Sequence, residues 1–348
     1  MKLRDLGEFG LIERIKQVVA SDSPDVLIGI DDDAAVVRVG RSTLVVTTDA
    51  FVEGVHFRFD YFSPFELGWR LMAANLSDLA AMGARPLFAV VDLAVPADAD
   101  AEEVTDLYYG MREIGARFGV RIVGGDTTSS RGRWFLAVTL LGAADGGRYA
   151  LRSRARVGDV IAVTGWLGSS RAGLELLTAG GGPHRAEPVL EAHLRPVPRV
   201  WEGRFLVQRA GVRAMIDVSD GLSSEVNHLC RLSGVGAVIE AARLPIRPVV
   251  RELALSSGHD PFDYALHGGE DFELLFTIPP EKWADLSKRW TRHFEIPLTA
   301  IGRIVRPERG IVLLTEQGER ELLPGGWQHF RSNTDAPDAC ELRPGERP

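Results

Sequence analysis

Acidic residues gather at six places along this chain: Asp31-Asp32-Asp33, Asp49, Asp78, Asp126, Asp217 with Asp220, and Glu270-Asp271. Most sit at the ends of expected strands or in the adjoining loops, within strongly apolar or Gly-rich sequence. A carboxylate held near a core is costly unless a positive group lies beside it. No Lys or Arg falls within these segments. Bound Mg²⁺ ions supply the missing charge most simply, and Mg²⁺ held by a few carboxylates usually also holds phosphate. Any fold for this chain must therefore bring strand ends together around a site for cations.

The 348 residues are enough for a large core and two domains. A net charge of −8 argues against non-specific nucleic-acid binding. Two cysteines, Cys230 and Cys340, make neither a metal cluster nor a disulfide framework and fit a reducing cytoplasm. The N-terminal MKLRDLGEFGLIERIKQ lacks an apolar signal core, and no stretch reaches the length of a membrane span. The expectation is a cytoplasmic protein with no membrane partner.

Hydrophobic periodicity places a short amphipathic helix over 9–20, an apolar run at Val26 to Ile30, and a β-branched strand from Thr43 to Thr48 that ends at Asp49. Ser63-Pro64-Phe65-Glu66 has the residues of a capping box with Pro at the first turn, starting a helix that stops at Gly83. That helix is apolar almost all round, so it should be buried, with Leu71, Asn75, Asp78 and Met82 on one face. Strands follow at 87–93, 120–123 and 134–141, with a helix at 101–118. The Gly/Ala/Arg-rich stretch 142–156 marks the boundary between an N-terminal domain, 1–143, and a C-terminal domain, 150–331. In the second half, strands are expected at 159–165, 213–218, 272–278, 299–303 and 310–315. Helices are expected at 169–179, 198–210, from Gly221 to near Gly234, and at 281–293. The polar, Pro-rich tail 332–348 should be disordered. The element order is α+β rather than strictly alternating.

Each acidic motif has an ordinary reading beside a chemical one. The Asp triplet could be a solvated turn; bracketed by apolar strands, it fits a metal site better. Thr47-Thr48-Asp49 offers hard oxygen ligands at a strand end, and the nearby His56 becomes a plausible contact for a phosphate-bearing substrate. Asp78 on a buried helix is costly without a cation. Gly124-Gly125-Asp126-Thr127-Thr128 could let backbone N–H groups approach an anion, but it is not a Walker A loop. Asp220 could simply cap a helix N-terminus, whereas Asp217 is harder to explain that way. Glu270-Asp271 could be a plain loop before a strand.

Taken together, GEFGLI, DDAAV, TTDAFVEGVHF, NLSDLAAMGA, GGDTT, VTGWLG, IDVSDGL and GGEDFELLFT, in this order, resemble the thiamine-monophosphate kinase family from about Gly7 to Phe330. That family is grouped with aminoimidazole ribonucleotide synthetase, selenophosphate synthetase and a hydrogenase maturation protein. The resemblance implies a two-domain fold without a P-loop. It also implies homodimers whose N-terminal domains join into a shared β-barrel, a C-terminal α/β sandwich-like domain, and a site along the cleft between domains. By resemblance, Asp33, Thr47, Thr48, Asp49, Asp78, Asp126, Asp217 and Asp220 would hold several Mg²⁺ ions, and Asp49, Asp126 and Asp220 would be catalytic. Tyr109, Gly125, Asp126, Arg152 and Ser219 would contact ATP. His56, Glu270 and Trp327 would contact thiamine monophosphate, the indole face suiting a cationic thiazolium. The implied reaction is direct, in-line transfer of the γ-phosphoryl group of ATP to thiamine monophosphate, the last step to thiamine diphosphate. The acceptor phosphate is already anionic near neutral pH, so no strong base is needed.

The chain departs from the family pattern at Asp31, where Gly is usual, at Ser169, where a carboxylate is usual, and at His267 and Phe272, where Ser and Tyr are usual. Selenophosphate and hydrogenase-maturation chemistries are disfavoured, because no Cys precedes Cys230 and Cys340 is not C-terminal. A catalytically silent binding protein is the alternative from another class; retention of every expected acidic ligand argues against it.

Overall fold

Ser63, Pro64 and Glu66 start the helix on which the two halves of the molecule meet. In the computed structural model, which describes residues 3–19, 23–180, 187–327 and 329, the Ser63 Oγ accepts the Glu66 N–H at 3.3 Å and the Glu66 carboxylate accepts the Ser63 N–H at 3.0 Å. The expected capping box is therefore formed, and Pro64 occupies the first turn.

The first half runs α1 (Leu3–Val19), β1 (Val26–Ile28), β2 (Ala35–Val39), β3 (Ser42–Val52), α2 (Pro64–Ala81), β4 (Arg85–Pro96), α3 (Ala101–Arg117), β5 (Arg121–Ser130) and β6 (Phe135–Ala143). Its six strands form one sheet in the order β1-β2-β3-β6-β4-β5. Only β4 and β5, joined through α3, are parallel. The second half runs β7 (Val160–Thr164), α4 (Ser169–Thr178), α5 (Glu187–Leu194), α6 (Val200–Phe205), β8 (Met215–Asp217), α7 (Leu222–Ser233), β9 (Gly236–Glu240), α8 (Pro248–Ser256), α9 (Pro261–His267), β10 (Leu274–Ile278), α10 (Pro280–His293), β11 (Leu298–Val305), β12 (Ile311–Thr315) and β13 (Gly318–Glu321). Its sheet has the order β13-β12-β9-β11-β7-β10-β8.

Helix α2 is buried from Leu67 to Ala81 apart from Asp78, so a carboxylate is the one partly open side chain on an otherwise dry rod. It crosses α3 at backbone distance. A Cβ on Gly68 would lie 1.9 Å from the Leu107 carbonyl, and one on Gly110 would lie 1.9 Å from that of Phe65. Only glycine permits that approach. The apolar cluster around α2 also takes in Met215, Phe276, Ile278 and Trp290 from the second half, so one core spans the two sheets. A second cluster lies within the C-terminal half, between its sheet and α7 to α9.

Several elements differ from expectation. The strand expected at 120–123 is longer: β5 continues through Gly124-Gly125-Asp126 to Ser130, because parallel pairing with β4 supplies its backbone hydrogen bonds. Helices α5, α8 and α9 and strands β2, β9 and β13 carry too short a periodic pattern to stand out in the sequence. Helix α1 begins at Leu3 and is kinked at Gly7, where φ is 70°. Residues from 330 onward, and with them the expected tail and Cys340, lie outside the described residues.

Candidate functional site

Three elements far apart in sequence each deliver one carboxylate to the junction of the two halves. Asp33 comes from the loop after β1, Asp78 from the last turn of α2, and Asp217 from the end of β8. One carboxylate oxygen of each lies within 4.8 Å of the others. Asp33 and Asp217 are buried, and Asp78 is partly so. Hydroxyls brace the group. The Thr47 Oγ1 donates to Asp78, and the Ser77 Oγ donates to the Asp217 Oδ2 at 2.6 Å. The Asn75 Oδ1 accepts the Asp49 N–H at 3.1 Å, tying β3 to α2. Strand alternation puts Thr47 and Asp49 on the side facing α2. Thr48 points the other way, and its hydroxyl donates to the Val138 carbonyl at 3.1 Å.

One cation answers this charge, and it comes from beyond the acidic segments. The Arg152 Nη2 pairs with the Asp33 Oδ1 at 2.6 Å, and the Arg152 N–H donates to the Asp32 Oδ1 at 2.9 Å. The Asp33 Oδ2 is buried with no hydrogen-bond partner. Burial pushes Asp217 up to about 8, helped by Asp33, and pushes Asp49 and Asp220 up to about 6. Asp78 is raised well above the usual carboxylate range by burial and then by Asp49, Asp217 and Asp33. Burial alone would depress the Arg152 guanidinium; the facing Asp33, Glu225 and Asp217 more than reverse this and raise it. A buried carboxylate group with an orphaned oxygen and one guanidinium is short of positive charge. Hard divalent cations with oxygen ligands fit that donor set.

A second group of side chains flanks the carboxylates. The loop 268–273 folds back on the end of β8: the Glu270 N–H donates to the Ser219 carbonyl at 2.6 Å and the Phe272 N–H to that of Val218 at 2.9 Å. This holds Glu270 and Phe272 in the left-handed region, at φ 55° and 50°, a strained backbone of the kind found at functional sites. Glu270 meets Arg70, which is fully buried on α2, at 2.5 Å. The Arg70 guanidinium lies over the Phe62 and Phe272 rings at 5.6 and 5.9 Å. His56 accepts the Val52 N–H on Nδ1 at 3.0 Å, which leaves the proton of the neutral ring on Nε2. It stacks on Phe51 at 5.4 Å and faces His329 at 5.3 Å, and His329 meets the Trp327 ring at 5.7 Å. Burial, with His329 adding to it, lowers the His56 pKa. The Trp327 N–H donates to the Asp220 carbonyl at 3.4 Å, so the aromatic group and the acidic group share a wall.

The structure therefore unites Asp33, Thr47, Asp49, Asp78, Arg152, Asp217 and Asp220, and sets Ser219, Glu270, His56 and Trp327 beside them. It does not bring every candidate there. Asp126 and Gly125 lie on the exposed edge strand β5, outside the three-carboxylate group, and Tyr109 is exposed on α3 beneath the Arg112 guanidinium at 4.8 Å. Arg171 pairs with Glu175 one turn along α4, at 3.0 Å. Sequence reasoning missed Ser77, Asn75, Arg70 and Glu225, whose role comes only from contact. Glu225 accepts the Asp220 N–H at 2.9 Å, and burial, then Asp220 and Asp217, raise it well above the usual carboxylate range. It also missed α1 as a cover for the site: Lys16 pairs with Asp31, Phe9 packs on His228 at 4.9 Å, and the Glu8 carboxylate accepts the His329 N–H at 3.0 Å. Asp31 sits at φ 133°, a backbone conformation that favours glycine.

The two sheets, with acidic ligands contributed from both to one junction, define a class. Residues 31–144 match the N-terminal domain model, and residues 156–314 the C-terminal domain model, of the AIR synthase related proteins. The chain belongs to this family, and within it to the thiamine-monophosphate kinases. It is 37% identical to the thiamine-monophosphate kinase of Bacillus subtilis, over 94% of this chain and 100% of that protein. With the enzyme of Aquifex aeolicus it shares 35% identity, over 95% of this chain and 100% of that one. Among solved structures, AaThiL complexed with AMPPCP and TMP superposes with a TM-score of 0.83 at 35% identity, covering 95% of this chain and 99% of that one. The hydrogenase maturation protein HypE shares the fold, with a TM-score of 0.69 at 22% identity, covering 92% of this chain and 97% of that one.

Proposed function

We propose that this chain transfers the γ-phosphoryl group of ATP to the phosphate of thiamine monophosphate, forming thiamine diphosphate and ADP. The observation that carries the reading is the buried Asp33–Asp78–Asp217 group, under-neutralised by the protein itself, in a chain whose close relatives are named for this activity. Two polyanions must meet in line, so the obstacle is repulsion rather than want of a base. Asp33, Asp78 and Asp217 would hold Mg²⁺, with Thr47, Asp49 and Asp220 completing further positions; Thr48 and Asp126, turned away from this group, are left out of that set. Bound there, Mg²⁺ would screen the phosphate oxygens and the charge that builds on the transferred group.

The chain's own residues do the rest. Arg152 stays charged throughout, held by Asp33, and offers its remaining donors to nucleotide phosphate. Ser219 sits where the 268–273 loop meets β8 and fixes the nucleotide side of the site. On the acceptor side, the neutral His56 presents Nε2–H to the substrate phosphate, and Trp327 offers an indole face to the cationic thiazolium. Glu270, oriented by Arg70, adds negative charge for the same cation. Helix α1 and the aromatic group limit water around the acceptor.

Tyr109, Gly125 and Asp126 share a different surface, on or near the open edge of β5. That edge has no partner among the described residues, and Val123 and Phe88 on β5 and β4 are 61% and 47% exposed. This supports a homodimer in which the N-terminal sheets pair and close into a barrel. No described helix is long and apolar enough to cross a membrane, in keeping with a cytoplasmic enzyme.

The test is direct. Incubation with ATP, Mg²⁺ and thiamine monophosphate, followed by chromatography, should give thiamine diphosphate and ADP in equal amounts. Binding of ATP with no ADP formed on addition of thiamine monophosphate would refute catalysis and leave a sensor.

A further inference from the structure

The turn that aims Arg152 at Asp33 sends Arg154 elsewhere, into a separate cleft of about 780 Å³ between the interdomain connection, the end of the α6 region and the start of α10. None of the carboxylates described above lines it. Its walls carry Arg148, Arg154, Arg156, Arg213 and Lys282, against one lining carboxylate, Glu281. We propose that this cleft is a second anion site, independent of metal, for a compact and multiply charged phosphate group such as a di- or triphosphate.

The charge balance is the first argument. The whole chain carries a net charge of −8, so five cations around one cleft run against the average of the molecule. Arg213 alone is paired, with Asp159 at 3.5 Å. Arg148, Arg154, Arg156 and Lys282 form no ion pair with any described carboxylate. Arg148 and Arg154 donate only to neutral carbonyls, those of Gln208 at 3.3 Å and Tyr149 at 3.4 Å. Cations that outnumber the nearby carboxylates, here five against Glu281 and Asp159, favour an anion between them.

The shape is the second argument. The volume falls within the range of pockets that take small ligands. Helix α10 is 14 residues long and its N-terminus has no side-chain cap; Pro279, Glu281 and Lys282 at that end line the cleft. At this helix start Pro280 carries no N–H and the Lys282 N–H bonds the Pro279 carbonyl at 2.9 Å, so the Lys282 ammonium rather than the backbone supplies the pull on an anion. Gly211 leaves room for the Lys282 ammonium, since a Cβ there would lie 2.5 Å from Nζ. Several guanidinium forks around a confined space select phosphate over a single carboxylate, because each can bind two oxygens. A nucleic acid would need a more extended basic surface than a cleft of this size.

This site does not depend on the activity proposed above, and chelation separates the two. Without divalent cations, the acidic junction lacks the positive charge that would hold a polyanion, so binding measured in EDTA reports the cleft. Wild-type protein titrated calorimetrically in EDTA with tripolyphosphate, and separately with ADP, is expected to show one saturable site weakened by added salt. Arg154→Glu with Lys282→Glu should lower that affinity by about tenfold or more, while Asp217→Asn should leave it unchanged. Both reversed residues are exposed, and Arg154→Gln with Lys282→Gln is the milder pair should the reversal impair folding. Tighter binding of ADP than of tripolyphosphate would make a nucleotide the occupant; the reverse order would make it an inorganic polyphosphate. Failure to saturate at millimolar ligand, or an affinity unmoved by both charge-altered pairs, overturns the proposal.

Discussion

Two groups of buried carboxylates near the domain junction have opposite fates. Glu273 is 3% exposed and fully answered: Arg199 grips it at 2.7 and 2.6 Å and the Thr164 hydroxyl donates to it at 2.7 Å. The same loop supplies Asp271, whose carboxylate accepts the Gly168 and Ser170 N–H groups at 2.7 and 3.1 Å and so caps α4. Asp33 and Asp217 are buried and Asp78 partly so, but the three share one guanidinium and leave an oxygen orphaned. A satisfied buried charge holds structure together. One left short of partners calls for another source of positive charge, which a bound cation would supply.

The largest expected effect breaks this contrast on the unsatisfied side. Asp78→Asn and Asp217→Asn should each lower turnover by about 10³-fold or more, ~4 kcal/mol of barrier, yet leave the metal-free fold at least as stable as wild type. Steady-state kinetics beside thermal melts in EDTA checks both halves; a large loss of stability would make these carboxylates structural. Next, Glu273→Ala should destabilise the protein by about 3 kcal/mol, the low end for a broken buried pair because Arg199 keeps some solvent. Denaturant titration reads this, and a neutral result would remove the distinction between the two groups.

The third prediction uses pH. Asp49, Asp217 and Asp220 are raised in the folded state from 3.8 to about 6, 8 and 6. Groups raised in this way contribute stability that is complete below their unfolded value and is lost as pH climbs through the folded values. Metal-free protein should therefore lose stability from about pH 4 to 8, and added Mg²⁺ should restore most at the alkaline end, where its ligands are deprotonated. Melting curves across that range, with and without Mg²⁺, decide it. The smallest effect is at the cap: Ser63→Ala should cost about 1 kcal/mol and leave the affinity for Mg²⁺ unchanged, since the box lies at the far end of α2 from Asp78.

Local chemistry made much of this legible. The Ser63–Glu66 box, the stop at Gly234 with φ 64°, and the placing of Asp78 on a buried helix follow from neighbours in sequence. Other features do not. Nothing near Asp33 in sequence announces Arg152, and nothing near Glu270 announces Arg70, because each pair joins elements from different halves. In sequence, strand β5 ends at Val123, before its glycines; pairing with β4 carries it on to Ser130. The acidic residues by themselves pointed to cations and to phosphate chemistry, since charge and burial are carried by residue type and pattern. Only the tertiary structure decided which carboxylates converge, which are neutralised from within, and that Asp126 and Tyr109 stand on another surface, because ion pairing depends on distance in space rather than along the chain.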